Sequence, residues 1–486
     1  MGKSIFKNLS YNVLLQIVLM VLPLISIPYV SRVLGAEGIG AYSFTLSLTQ
    51  YFIIVGTLGT SLYGNRQIAY ARDSKEELSK TFWSIFIVRL SSTSVALLVY
   101  YALFWNTTDL RTLRMIQSFH ILAQVFDITW LFIGLEDFKR IVTRNLVIKI
   151  LGLVLIFSLV KTKEDVLLYT LINLGMSISS SLIMWFYTPQ LLAKVVLKKN
   201  DVQNHIVPIF KLFIPQIASQ VYVLLDKTML GYLSSLEQVG FYTQAERMVR
   251  SVLELTSALG VVMLPRMSHI FSKGNYDQMR NYLNKSLVGV SYIALPMMVG
   301  LMGLTHEFIP WFFGDQFLQV EPIMKSISLI LLFISLSSVL GVQYLLPANR
   351  VNEFTFSIVM GAVVNFSLNF LLIPQYAAMG AVIGTISAEC TVMGLQFYFL
   401  RNEVNMRTYT FALLKYGIAV TFMYISVRFL GTNLGASMLT NLIQMGAGII
   451  VYFGILFVLK EEMNSLVFTT IRNFISRFIP NMKPRV

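Results

Sequence analysis

Long apolar segments follow one another along almost the whole chain, and only short polar stretches separate them. A window of about 19 residues finds about 14 segments long enough to cross a ~30 Å hydrocarbon core as helices. The composition agrees, since 13% of the residues are charged, against roughly 25% in soluble proteins. We therefore predict an all-α polytopic membrane protein, and a soluble globular fold is excluded.

The spacing of the segments predicts two parallel bundles around a central cavity. We expect an N-terminal six-helix bundle over about residues 1–190, a basic cytoplasmic linker over about 191–206, and a C-terminal six-helix bundle over about 207–400. Two additional transmembrane helices follow over about 401–460, and a basic amphipathic cytoplasmic tail over about 461–486. Short turns are predicted between spans at roughly 9–31 and 40–62, and between spans at roughly 353–374 and 379–400.

The net charge of +14 is explained by membrane topology, so we expect no nucleic-acid partner. Loops rich in Lys and Arg stay on the cytoplasmic side of a membrane. With both termini cytoplasmic, the cations of the loops fall predominantly on that side. The predicted outer loops hold only Arg32, Arg111, Arg114, Lys161 and Lys163.

An internal repeat supports the parallel bundles. At an offset of 200 residues, Gly40 and Tyr42 of I-G-A-Y match Gly240 and Tyr242 of V-G-F-Y. Six spans separate the copies, so the halves share one orientation, as in several transporter folds. Bends are expected in the first helix of each half, because these helices contain prolines. The prolines are Pro23, Pro28, Pro208 and Pro215.

Charged residues at membrane depth are the candidate site, because each costs several kcal/mol unless it is paired or lines an aqueous cavity. The six deepest are Arg89, Asp127, Arg247, Arg250, Glu254 and Glu389. Five other cations near span ends are expected to extend to the interface. These are Lys211, Lys227, Lys325, Lys415 and Arg428.

Arg247 and Arg250 are the leading substrate-binding pair, because planar guanidinium groups suit a diphosphate. Arg250 and Glu254 can pair on one helical face, so an internal salt bridge is the alternative interpretation. Arg89 and Glu254 are further candidates for the substrate-binding site. Asp127 and Glu389 are candidates for coupling to Na⁺ or H⁺.

Several motifs resemble the Wzx-type polysaccharide flippases of the multidrug/oligosaccharidyl-lipid/polysaccharide exporter superfamily. They are S-R-V-L-G-A-E-G-I-G-A-Y (31–42), D-K-T-M-L-G (226–231), L-P-R-M-S (264–268), Q-Y-L-L-P-A-N-R (343–350) and L-I-P-Q-Y-A-A-M-G-A-V-I-G-T (372–385). Two others, Y-G-N-R-Q-I-A-Y-A-R-D (63–73) and D-I-T-W-L-F-I-G-L-E-D-F (127–138), are similar to capsule and teichoic-acid precursor flippases of Gram-positive bacteria.

The resemblance implies a transporter of the bacterial cytoplasmic membrane. It would flip undecaprenyl-diphosphate-linked oligosaccharide or teichoic-acid repeat units to the outer leaflet by alternating access. Its partners would be this polyprenyl-diphosphate-linked glycan, membrane lipids, Na⁺ or H⁺, and other cell-envelope polysaccharide assembly proteins.

Two alternatives remain. A drug/cation antiporter of the same superfamily would need acidic rather than cationic central groups. A membrane enzyme acting on lipid-linked glycans is disfavoured, because the chain has no G-x-x-x-x-G-K-[ST] loop and no nucleophile constellation. Cys390 is the single cysteine, and no Cys/His spacing predicts a metal. We expect no cofactor.

Overall fold

The computed structural model describes the backbone of residues 2–465 and most side chains from residue 22 onward. The side chains at 23, 211, 212, 214–219, 221, 222, 257–262 and 265 lie outside the described set. Most of the predicted tail, from residue 466, also lies outside it. Within residues 2–465 the secondary structure is helical, without a β-strand. This confirms the predicted all-α fold.

Sixteen α-helices make up the described chain. They are α1 (Gly2–Thr57), α2 (Thr60–Ala71), α3 (Lys75–Phe104), α4 (Arg111–Val125), α5 (Thr129–Gly134), α6 (Phe138–Leu159), α7 (Val166–Ile183), α8 (Thr188–Leu191), α9 (Lys199–Leu233), α10 (Leu236–Ser272), α11 (Tyr276–Phe312), α12 (Val320–Ile327), α13 (Ile330–Ser337), α14 (Val351–Phe399), α15 (Met406–Leu434) and α16 (Met438–Val458). A π-helical segment, Ser338–Leu345, follows α13.

The two longest helices contain interruptions at the predicted turns. In α1 the backbone leaves the helical region at Gly35, where φ is 69°, a value that glycine adopts without steric cost. In α14 the same occurs at Ala377, where φ is 48°. Ten stretches of the described residues are long and apolar enough to cross a membrane. Two of them, residues 24–71 and 351–399, contain these interruptions. The interruption of α1 lies at the glycine of the turn and not at Pro28.

Spatial proximity groups the chain into two compact units. Unit 1 comprises Met1–Thr243 and Leu368–Ala381, and unit 2 comprises Gln244–Ser367 and Val382–Val486. This grouping reflects distances within one conformation. The bundle boundaries predicted from the sequence remain a prediction.

Aromatic side chains form much of the core of unit 1. Phe82 of α3 stacks on Trp130 of α5, with 5.3 Å between ring centroids. Trp185, just after α7, packs edge-on against Phe86, and its indole N–H donates to the carbonyl of Phe126 at 2.8 Å. These contacts fix the short helix α5 against α3 and the end of α7.

A buried ion pair joins α11 and α15 in unit 2. Arg428 Nη1 lies 2.9 and 2.8 Å from the two carboxylate oxygens of Glu307. Gln444 of α16 donates to the same carboxylate at 3.1 Å. Removing one partner of such a pair costs about 3–5 kcal/mol. Arg428, which the sequence places near a span end, therefore pairs with a buried carboxylate of the protein.

Two other cations near span ends also pair with carboxylates. Lys325 contacts Glu321 within α12. Lys415 Nζ lies 2.9 Å from Glu461 Oε2, and Tyr416 donates to the other oxygen of Glu461 at 3.1 Å. The last contacts attach the start of the predicted tail to α15.

Candidate functional site

The two leading arginines lie one turn apart in α10. Arg250 is partly exposed, and its Nε lies 2.7 Å from Oε1 of Glu246, which is buried. Glu254 is exposed instead. Arg250 therefore forms an ion pair with Glu246, one turn earlier in α10, and not with Glu254. The carboxylate of Glu246 is the buried one.

Arg247 differs from its neighbour. Its side chain is half-buried, and its guanidinium forms no ion pair or hydrogen bond with any residue that the structure describes. A guanidinium has five N–H donors in a planar fork. At membrane depth such a cation is costly without an anionic partner. The N–H donors of Arg247 are therefore not occupied by groups of the described residues.

Arg89 is placed differently from the arginines of α10. It is fully buried in unit 1, and its Nε donates to the carbonyl of Gln124, the penultimate residue of α4, at 2.7 Å. Its Nη1 donates to Ser61 at 3.0 Å and to Thr60 at 3.3 Å, both at the start of α2. Arg89 therefore joins the end of α4 to the start of α2.

Asp127 lies in the same region of unit 1, between α4 and α5. Its carboxylate accepts from the backbone N–H of Thr129 at 3.0 Å and from the Thr129 hydroxyl at 2.5 Å. Arg144 donates to that hydroxyl at 3.1 Å. Asp127 therefore helps to begin α5. Glu389 lies in unit 2, buried within α14.

Asp226 is a buried carboxylate that the sequence analysis did not select as a site residue. Asp226 of α9 is buried and accepts from the Tyr242 hydroxyl at 2.5 Å and from Asn369 Nδ2 at 2.7 Å. In the sequence, Asp226 stands out only as the first residue of the motif D-K-T-M-L-G. That motif supports the family resemblance but does not by itself indicate a site residue. The carboxylate lies close to the predicted end of its span, so depth did not select it.

Arg114 was also misplaced by the sequence. It was predicted in an outer loop but lies in the first turn of α4, and only 4% of its surface is exposed. Leu113 and Arg114 both face the protein interior.

The two motifs of the internal repeat contact each other. A Cβ added to Gly40 would lie 1.6 Å from the carbonyl oxygen of Leu236, and a Cβ added to Gly240 would lie 2.0 Å from that of Ala36. Only glycine allows this approach of α1 to α10. The backbones therefore meet directly where the sequence predicts the outer turns.

Unit 2 contains an apolar cavity of about 370 Å³. It is lined by side chains of α10, α11, α15 and α16, among them Leu255, Pro296, Met423 and Phe453. This lining suits a hydrocarbon chain.

The fold and these residues define a class: a multi-pass α-helical membrane protein with cations inside its spans. The solved structure of a lipid II flippase MurJ in an inward closed conformation has the same fold, with a TM-score of 0.73, 16% identity, and coverage of 94% of this chain and 99% of that one. Residues 5–271 match the model of the polysaccharide biosynthesis protein family. The chain belongs to this family.

Curated relatives agree with the family. A protein of Escherichia coli K12 described as an O-antigen transporter is 24% identical over 82% of this chain and 97% of its own length. The lipid II flippase MurJ of Bacillus subtilis is 26% identical over 29% of this chain and 26% of its own length. These relatives are transporters, which confirms the predicted superfamily and a transporter rather than an enzyme.

Proposed function

We propose that this chain flips polyprenyl-diphosphate-linked oligosaccharides from the cytoplasmic to the outer leaflet by alternating access. The observation that carries the proposal is Arg247, a half-buried cation of α10 that has no counter-ion among the described residues and lies one turn from Arg250. A diphosphate supplies the missing anion, and two guanidinium groups can hold it in a bidentate manner. We place the protein in the bacterial cytoplasmic membrane with both termini cytoplasmic.

The relatives support a glycan substrate, since their names include an O-antigen transporter and a lipid II flippase. The apolar cavity of unit 2 offers lipid-like surroundings for part of the polyprenyl chain. Within this class, the motifs at 63–73 and 127–138 favour capsule or teichoic-acid repeat units carried by undecaprenyl diphosphate. The drug/cation antiporter is less well supported, because the half-buried charge of α10 that has no partner among the described residues is the cation Arg247, whereas the carboxylate of Glu254 is exposed.

Depletion of the protein tests the proposal. Cells of the source bacterium should accumulate a polyprenyl-diphosphate-linked glycan on the cytoplasmic side, because synthesis continues while export stops. Mass spectrometry of extracted lipids would identify the sugar, and re-expression should remove the excess lipid. Depletion without any increase in a lipid-linked glycan, together with increased sensitivity to cationic drugs, would favour the antiporter.

We also propose that a buried or half-buried carboxylate couples transport to Na⁺ or H⁺. Asp127 and Glu389 are the predicted candidates, and Asp226 joins them because it is buried among hydroxyl and amide donors. Replacing a coupling carboxylate should abolish the dependence of flipping on an ion gradient, since the neutral side chain no longer exchanges a cation. Asp226→Asn should show this effect more strongly than Asp127→Asn, because the Asp127 carboxylate already accepts two hydrogen bonds from Thr129, the first residue of α5.

Flipping in proteoliposomes with an imposed Na⁺ or H⁺ gradient is the measurement, and Glu389→Gln completes the set. Asp277→Asn is the control, because Asp277 is exposed in the first turn of α11. An undiminished gradient response in all three variants would show that coupling resides elsewhere.

A further inference from the structure

The first turn of α4 carries two arginines, Arg111 and Arg114, and no acidic residue. The backbone N–H groups of a helix N-terminus carry partial positive charge, so acids stabilise this position and cations destabilise it. No side chain caps the α4 N-terminus, where Leu110 is left-handed. Three sources of positive potential therefore coincide, and a bound anion would stabilise all of them.

The burial of Arg114 adds an independent observation. Its Nε is buried without a hydrogen-bond partner, and its guanidinium forms no ion pair or hydrogen bond with any described residue. It lies over the rings of Phe44 and Phe104, at 5.7 and 5.4 Å from their centroids. Aromatic faces stabilise a cation, but they do not supply the oxygen acceptors that N–H donors prefer.

A second donor lies on the same face of α4. Gln117 is fully buried, and neither atom of its side-chain amide has a hydrogen-bond partner in the part of the chain that the structure describes. Residues three apart on a helix are neighbours, with about 5–6 Å between their Cβ atoms. The amide N–H₂ of Gln117 and the guanidinium of Arg114 can therefore donate to one anion.

Arg111 provides an internal comparison. It belongs to the same turn and also forms no ion pair among residues 22–465 with described side chains. It is exposed, however, and lies over the ring of Trp105 at 5.6 Å. Water can hydrate Arg111, whereas the donors of Arg114 are almost entirely removed from it. Arg114, unlike Arg111, therefore needs an anionic partner.

We propose that Arg114 and Gln117, at the N-terminus of α4, bind the phosphate group of an anionic lipid. Phosphate matches a guanidinium fork and a helix N-terminus, and the start of α4 is predicted at the outer side, where lipid phosphates lie. This site is separate from the arginines of α10. Its part in transport rests on the proposed function, in which it would receive the diphosphate after crossing. The binding of an anionic lipid at this site does not depend on the proposed function.

The test uses the full chain in phosphatidylcholine nanodiscs. Phosphatidylglycerol or undecaprenyl diphosphate is added, and bound lipid is measured by native mass spectrometry and by the rise in thermal midpoint that ligand binding produces. At least one of these lipids should bind and stabilise the wild type. Arg114→Gln should bind it about tenfold more weakly or worse, because a charged hydrogen-bond donor is lost.

Arg111→Gln is the matched control and should stay within about twofold of the wild type, because it removes an equal but hydrated charge from the same turn. Arg114→Lys keeps the charge without the planar fork and should bind at an intermediate level. Binding of undecaprenyl diphosphate alone would assign the site to the transported lipid, and binding of both lipids would assign it to lipid phosphates in general.

Equal binding by the wild type and Arg114→Gln would overturn the proposal. If Arg114→Gln does not fold, the wild-type protein alone still tests the proposal. The proposal would be overturned if neither lipid stabilised the wild-type protein. These measurements require no flipping. A failure of the proposed transport function would therefore leave the binding result intact, and a failure of binding would leave the transport result intact.

Discussion

A double variant, Arg247→Ala with Arg250→Ala, should lose lipid flipping by about a hundredfold or more. Each hydrogen bond to a charged group contributes about 1.5–3 kcal/mol, and the diphosphate would otherwise cross a region where an unpaired anion is very costly. The double variant also removes the positive charge of Arg250 from the buried carboxylate of Glu246, which adds repulsion toward an anionic substrate. The measurement is the rate of flipping of a fluorescent polyprenyl-diphosphate glycan in proteoliposomes.

Single variants separate the two arginines. Arg250→Lys keeps the charge near Glu246 but loses the planar fork, so it should impair flipping less than Arg250→Ala. Arg266→Ala is the control, because Arg266 also belongs to α10 but is exposed. Full activity of the double variant at normal abundance would reject a phosphate-binding role for this pair.

Replacing Gly240 with Ala should reduce flipping by about tenfold or more. The new Cβ would lie 2.0 Å from the carbonyl oxygen of Ala36, so α1 and α10 must separate. Overpacking of this kind costs about 1–3 kcal/mol, which shifts a two-state equilibrium by roughly 5- to 150-fold. The conformation in which the two motifs touch would then be depopulated, and an alternating-access cycle that requires it would slow.

Cross-linking measures the same contact independently. Cysteines at Ala36 and Ser235, in a chain with Cys390 replaced, should be joined by a short thiol reagent, and the cross-linked protein should stop flipping until it is reduced. Gly240→Ala should lower the yield of cross-linking. Gly175→Ala is the control, because no atom lies within 4 Å of the Cβ it would add. Unchanged flipping by the cross-linked protein would show that these turns need not separate.

The sequence predicts the helical fold well because lipid imposes a simple rule on it. The backbone N–H and C=O groups of an apolar segment in lipid must form hydrogen bonds within the protein, so such a segment becomes a helix. Hydropathy therefore locates the spans. Glycines or charged residues between the spans locate the turns. The interruptions at Gly35 and Ala377 fall within predicted turns for this reason. Family membership also follows from local motifs, which survive when overall identity is low.

The partners of the charged residues could not be predicted in the same way. Glu307 and Arg428 are far apart in the chain, and they pair because particular faces of α11 and α15 meet. Depth along a span says nothing about which face a residue occupies. Arg89 and Arg247 were both selected by depth, yet one is fully bonded to protein groups and the other has no described partner.

Arg89 also ties together two places where helices begin or end. Because its guanidinium holds the last turn of α4 and the first turn of α2 at once, neither helix end can pivot without moving the other. The two ends therefore act mechanically as one joint. Any change of shape in this part of unit 1 must either carry α2 and α4 together as a rigid body or break several charged hydrogen bonds in a single step.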